Sequence, residues 1–142
     1  MSFTDYYEAK ILNEAVGCDN TSSPFGANVW VGLSSTTPTD ASASTWNVTE
    51  PSGDAYTRQS TSSGTWTTAT VGSITTATDI TWTEASGNWV SSANLTYATI
   101  WDSLDSSGSN NLLAYGALTV AKPVLTGDTA KILAGNLTIT LA

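Results

Sequence analysis

The sequence contains no histidine, a single cysteine and four basic residues, and only 11% of its 142 residues are charged. Without histidine there is no imidazole for a Ser-His-Asp relay and none to bind a transition metal. The lone thiol, Cys18, leaves no intrachain disulfide and fits assembly in a reducing compartment. It follows Gly17 at the C-terminal end of a helical pattern, the wrong end to activate a thiolate. Lys10, Arg58, Lys122 and Lys131 stand against twelve acidic residues, for a net charge of −8. No basic patch can form from so few cations, which argues against nucleic acid and against an anionic membrane surface. No apolar run approaches the roughly 20 residues of a transmembrane helix. The opening Met-Ser-Phe-Thr-Asp-Tyr-Tyr-Glu is too polar and too acidic for a signal peptide.

What the sequence has in place of charge is hydroxyl. Ser and Thr supply 44 of the 142 residues. Six Trp, five Tyr and an apolar fraction of 40% argue against disorder, because disordered chains are poor in aromatics. The length suits one domain, residues 1–142, with a core that needs no staples. Residues 2–17 carry the one helical pattern, with Tyr7, Ile11, Leu12, Ala15 and Val16 on a single stripe. Ser2 or Thr4 can cap its start, and Gly17 is a natural stop. Its apolar stripe docks either on its own domain or on a neighbouring subunit.

Beyond the helix the period changes. Residues 28–34, 55–61, 65–71, 78–83, 95–101, 112–120, 130–134 and 137–141 read as strands. The last two read as a hairpin around Gly135-Asn136. Residues 35–54 are irregular, broken by Pro38 and Pro51. About eight strands after one helix predict a mainly β chain, an antiparallel β-sandwich or jelly-roll-like barrel over residues 28–142. Threonine then has a physical role. It is β-branched, fits a pleated surface and turns a hydroxyl to water, so a sheet face stays soluble with little charge to desolvate on packing.

Candidate chemistry is sparse. Asp79, Glu84, Asp102 and Asp105 lie near Trp82, Trp89 and Trp101, the residue types of a glycoside hydrolase, but nothing in their spacing fixes two carboxyl groups across a bond. Solvated loop acids and core tryptophans explain them better. The run from Asp102 to Asn110 offers oxygen ligands around Gly108, yet it lacks the ligand alternation and terminal Glu of a calcium loop and reads as a turn. No catalytic, cofactor or metal residue is therefore assigned.

Several segments resemble a known family when taken together. They are the N-terminal Met-Ser-Phe-Thr-Asp-Tyr-Tyr-Glu-Ala-Lys-Ile-Leu-Asn, the run from Val29 to Asp40 and the run from Asn47 to Arg58. In the second half they are Ile80-Thr-Trp-Thr-Glu-Ala, Ala98-Thr-Ile-Trp-Asp, Asn111-Leu-Leu-Ala-Tyr-Gly-Ala-Leu, Gly127-Asp128 and Ala134-Gly-Asn-Leu-Thr-Ile-Thr-Leu. In order and over nearly the whole chain, these resemble small tailed-bacteriophage virion proteins usually labelled phage tail fibre proteins. Ile80-Thr-Trp-Thr stands where that family often has Ile-Thr-Phe-Pro.

The resemblance implies a non-enzymatic virion structural protein, assembled in the bacterial host cytoplasm, serving as a tail fibre or tail-tip component or as a capsid decoration (cement) protein. It implies other virion proteins as partners and a homo-oligomer, with a trimer as one closed arrangement. Interface candidates are Tyr7 and Ile11 on the helix and the aromatic anchors Trp30, Trp46 and Trp101. The Trp and Tyr content supports a second reading, a carbohydrate-binding module that recognises a host surface glycan.

Overall fold

The computed structural model describes residues 11–16, 28–39, 46–91, 93–104 and 110–141. The predicted helix is seen at its C-terminal part, residues 11–15, closed by a Val16 N–H to Leu12 carbonyl bond of 3.2 Å. Tyr7, Cys18 and Asp105 lie outside the described residues. Otherwise the described residues are mainly β, with eight strands: β1 (Val29–Ser34), β2 (Gln59–Thr61), β3 (Ser73–Thr75), β4 (Ile80–Thr81), β5 (Leu95–Trp101), β6 (Leu112–Lys122), β7 (Lys131–Ile132) and β8 (Thr138–Thr140). They form a four-stranded sheet in the order β2-β1-β5-β6 and two short pairs, β3-β8 and β4-β7. By compactness the chain divides into two units, residues 1–29, 60–80 and 131–142 in the first, 30–59 and 81–130 in the second.

In the first unit, Leu12, Val16, Val29, Trp66, Ala69, Ile74 and Ile80 are buried. Buried polar groups are tied among them. Thr61 donates its hydroxyl to the Val29 carbonyl at 3.0 Å and accepts the Trp66 indole N–H at 3.1 Å. Asn13 at the helix end accepts the Ala69 N–H at 2.8 Å. Residues 63–65 form a 3-10 turn, and the predicted strand at 65–71 is a set of isolated bridges to the β3 side rather than a continuous strand. Its alternation of Thr marks a surface that is half wet, which alone does not secure a ladder.

The tip of that ribbon is Val71-Gly72, both at positive φ (49° and 69°), and Val71 is 72% exposed. A β-branched residue is poorly suited to this left-handed position, where Asn-Gly is preferred. Val71→Asn is expected to stabilise the protein by about 0.5–1 kcal/mol, read as a rise in melting temperature.

Gly135 does turn the chain, at φ 79°, but β7 and β8 do not pair with each other as the Gly-Asn signal predicts. β8 joins β3 in the register Ser73↔Thr140, Ile74↔Ile139, Thr75↔Thr138, and β7 joins β4. The Gly135 N–H is taken by the Thr76 carbonyl at 2.8 Å, which anchors the turn on earlier chain instead of closing a hairpin. Asp79 clamps the same turn, accepting the Ala134 N–H at 2.9 Å and pairing Lys131 at 3.2 Å. The Ala134 hydrogen bond first, and Lys131 second, hold its carboxyl below the usual range.

In the second unit β1 and β5 are almost wholly buried, the signature of a strand pair covered on both faces. Their register is Trp30↔Trp101, Val31↔Ile100, Gly32↔Thr99, Leu33↔Ala98, Ser34↔Tyr97. β6 flanks β5 and forms the outer edge of the sheet. Two irregularities shape it: Leu113 is an extra residue between the pairs at Ile100 and Trp101, and residues 118–121 stand against Thr96 alone. Trp82, Ala85 and Trp89 add to this core, and their N–H groups bond the carbonyls of Ala130, Asp128 and Val124.

Candidate functional site

Two constellations stand out in the second unit, one buried and one open. The buried one sits where strand β1 is thinnest, at Gly32. Arg58, 4% exposed in its side chain, meets Glu50, 13% exposed, through Nη2 at 2.7 Å and Nε at 3.0 Å to Oε2. A third nitrogen donates to the Ser103 carbonyl at 2.9 Å, and the guanidinium carbon lies 3.8 Å from the centre of a Trp101 ring. Tyr56 donates its hydroxyl to Glu50 at 2.8 Å and accepts the Leu33 N–H at 2.9 Å. Burial pushes the Tyr56 phenol far above its ordinary range, and the adjacent Glu50 carboxylate adds to that. Trp101 gives its indole N–H to Thr99 at 2.9 Å. Every strong group here already has a partner, so the cluster locks the residues around 50–58 onto the sheet and leaves no group free for chemistry.

The open constellation is a groove of about 290 Å³ lined by Thr39, Trp46, Leu112, Leu113, Ala114 and Tyr115. A strap of hydrogen bonds positions Trp46. The Thr39 N–H bonds the Trp46 carbonyl at 2.8 Å, Asn47 Nδ2 bonds the Thr37 carbonyl at 2.8 Å, and Thr36 donates to the Asn47 carbonyl at 2.6 Å. Asn47 takes a left-handed φ of 51°, a conformation that Asn tolerates. The opposite wall is the start of β6, where the extra residue Leu113 widens the strand. Tyr115 is 43% exposed and packs edge-on against Tyr97, with ring centres 6.4 Å apart. The Trp46 Nε1 is shielded from solvent and has no hydrogen-bond partner.

The predicted interface residues separate. Trp46 lines the groove, and Ile11 and Trp30 are half-buried. Trp101 is 3% exposed and is the register partner of Trp30, so within this chain it is a core residue beneath Arg58. Tyr115 was missing from the sequence-derived candidates. Its signal was an aromatic within the Leu112–Lys122 run, whose other face carries no equivalent ring.

Of the predicted acidic candidates that lie in the described residues, two have structural roles. Asp79 clamps a turn, Glu84 is exposed, and Asp102 closes the β5–β6 connection by accepting the Asn111 N–H at 2.7 Å and its side-chain amide at 2.6 Å. Among the described residues no three acidic, Cys or His side chains gather as metal ligands, and no helix is long and apolar enough to cross a membrane.

No curated protein matches the chain. A family model described as podophage GP4 fiber I protein gp80 matches residues 2–140. With nearly every residue covered in order, the chain belongs to this phage fibre family and is a virion structural protein.

Proposed function

We propose that this virion protein is a non-enzymatic fibre or tail-tip component that binds neighbouring virion subunits through the outer surface of β6 and its N-terminal segment. The observation that carries the proposal is the state of β6. It is the edge strand of the sheet, 11 residues long, and most of its residues are exposed. Such an edge invites a partner unless it is blunted. Only its last residue, Lys122, is charged, while Tyr115 and Val120 are exposed at 43% and 61%, and Leu125 just beyond is exposed at 47%. The irregular pairing at residues 118–121 interrupts the regular spacing of backbone donors and acceptors. The contact is therefore made by side chains over this stretch, a surface of low charge that costs little to desolvate.

The test is a Val120→Lys phage. The expected result is particles depleted of this protein, measured by quantitative mass spectrometry, with an unchanged melting temperature for the purified variant. Normal incorporation of Val120→Lys would overturn the proposed attachment surface. A copy number matching the capsid subunits instead of the tail would overturn the fibre role in favour of capsid decoration.

A further inference from the structure

We infer that the outer edge of β8 pairs, antiparallel, with the same edge of a second copy of this chain, about a two-fold axis at Ile139. The inference goes beyond attachment through β6 and uses no residue of that strand.

β8 ends its ladder. It pairs with β3 on one side, and among the described residues no strand lies on the other. Two bonds fix which backbone groups face β3. The Thr76 N–H donates to the Leu137 carbonyl at 3.0 Å, and the Leu141 N–H donates to the Gly72 carbonyl at 2.9 Å. In an antiparallel ladder the direction alternates along the strand. The N–H and C=O groups of Leu137, Ile139 and Leu141 therefore face β3, and those of Thr138 and Thr140 face outward. Unpaired outward groups are a template for another strand. The usual devices that blunt such an edge are missing. The register with β3 runs without a bulge, and residues 132–142 contain no proline and no charged side chain. The neighbouring charge, Lys131, is already paired with Asp79.

Three matches select a second copy as the occupant. The first is register. Thr138 and Thr140 lie one residue to either side of Ile139. A two-fold axis at Ile139 sets Thr138 opposite the other copy's Thr140, twice, and each such pair exchanges both of its N–H to carbonyl bonds, four in all. The second is face. An axis perpendicular to the sheet keeps each face on its own side. Half-buried Leu137, Ile139 and Leu141 then continue as one apolar row through both copies, and exposed Thr138 and Thr140 make Thr–Thr pairs on the opposite face. The third is charge. Each copy carries −8, so two copies repel least where their contact holds no charge, and residues 132–142 are such a run. A basic or an acidic partner would find no opposite charge on it. A contact of four main-chain bonds is weak in solution and depends on concentration.

Sedimentation equilibrium of the purified full chain, from about 1 μM to about 1 mM, tests the inference. The expected result is a monomer–dimer equilibrium with a Kd of about 100 μM or tighter. Thr140→Pro removes two of the four donors and spares the β3 ladder, because proline is tolerated on an edge strand where its nitrogen faces outward. It should weaken dimerisation at least about tenfold, with an unchanged circular dichroism spectrum. Val120→Lys, on β6, should dimerise as the parent protein does. A second measurement stands without the proline variant. In a Cys18→Ser background, Ile139→Cys should form a disulfide-linked dimer under mild oxidation, since residues opposed in a non-hydrogen-bonded pair lie about 4.5 Å apart at Cα. Leu141→Cys should not, because the axis puts its counterpart about 14 Å away. A monomer up to about 1 mM, a trimer or open-ended assembly, a dimer unchanged by Thr140→Pro or lost in Val120→Lys, or cross-linking through Leu141→Cys in place of Ile139→Cys would overturn the inference. Normal incorporation of Val120→Lys into particles would leave it standing, because the two tests use different strands and different readouts.

Discussion

Arg58→Met should lower the stability of the protein by about 3–5 kcal/mol, the loss seen when one partner of a buried ion pair is removed. Both side chains of the pair are largely withdrawn from water, at 4% and 13% exposed. Removing the guanidinium leaves the Glu50 carboxylate with Tyr56 as its only remaining hydrogen-bond donor among those described, in a site that offers poor solvation. It also removes the hydrogen bond to the Ser103 carbonyl and uncovers a Trp101 ring, so packing is lost together with charge. The signature is a non-additive double mutant. Adding Glu50→Gln to Arg58→Met removes the stranded charge, so the pair of changes should cost less than the sum of the single ones. Urea denaturation of the four proteins measures it. A loss below about 1 kcal/mol for Arg58→Met would show that the pair behaves like a surface salt bridge.

Gly32→Val should cost about 3 kcal/mol, at the upper end of the range for overpacking. Strand propensity alone predicts the opposite sign, because valine is favoured in strands and glycine disfavoured. Packing decides. A Cβ at this position meets the Glu50 carboxylate oxygen, with the Thr99 hydroxyl at 2.9 Å and the Tyr56 hydroxyl at 3.1 Å. Glu50 cannot swing aside without giving up Arg58 and Tyr56. Glycine in the middle of β1 is thus the gap through which the polar cluster reaches the sheet. Thermal melting of Gly32→Val, with Gly32→Ala as the milder step, would check the ordering; a melting temperature at or above that of the parent protein would contradict the close approach.

The central strands were the most legible part of the sequence. β1, β5 and β6 begin within a residue of where β-branched and aromatic runs flanked by turn formers placed them. Burial explains this, since a run such as Val29-Trp-Val-Gly-Leu advertises its environment in every residue. The Thr-rich segments were harder. At 55–61 only Gln59–Thr61 is a strand, at 65–71 there are bridges alone, and β3 lies just past the predicted stretch. Alternating threonine is compatible with many partial ladders, and long-range partners choose among them. The C-terminal turn shows the same effect, because Gly135-Asn136 fixed a bend and said nothing about which strands would meet the two arms.

The buried cluster was missed for a different reason. Glu50 fell in a stretch judged irregular, and Arg58 counted only as one cation among four. Its available signal was the i, i+2 spacing of Tyr56 and Arg58, which puts two large polar side chains on the same side of an extended segment. Of the groove, Trp46 could be picked out as a candidate, whereas Tyr115 became visible only when the extra residue Leu113 brought that end of β6 opposite the strap.

The split partnership of β7 and β8 has a consequence for the order of assembly. Thr75 meets the Leu137 carbonyl from 62 residues away, and Asp79 meets Ala134 from 55. Both ladders therefore wait for residues 131–140 to leave the ribosome, while β1, β5 and β6 have everything they need earlier. A chain released only as far as residue 125 would hold every strand of the four-stranded sheet and lack the partners of β3 and β4, and late closure of loops this long makes the pairing of residues 131–140 the slow step of folding.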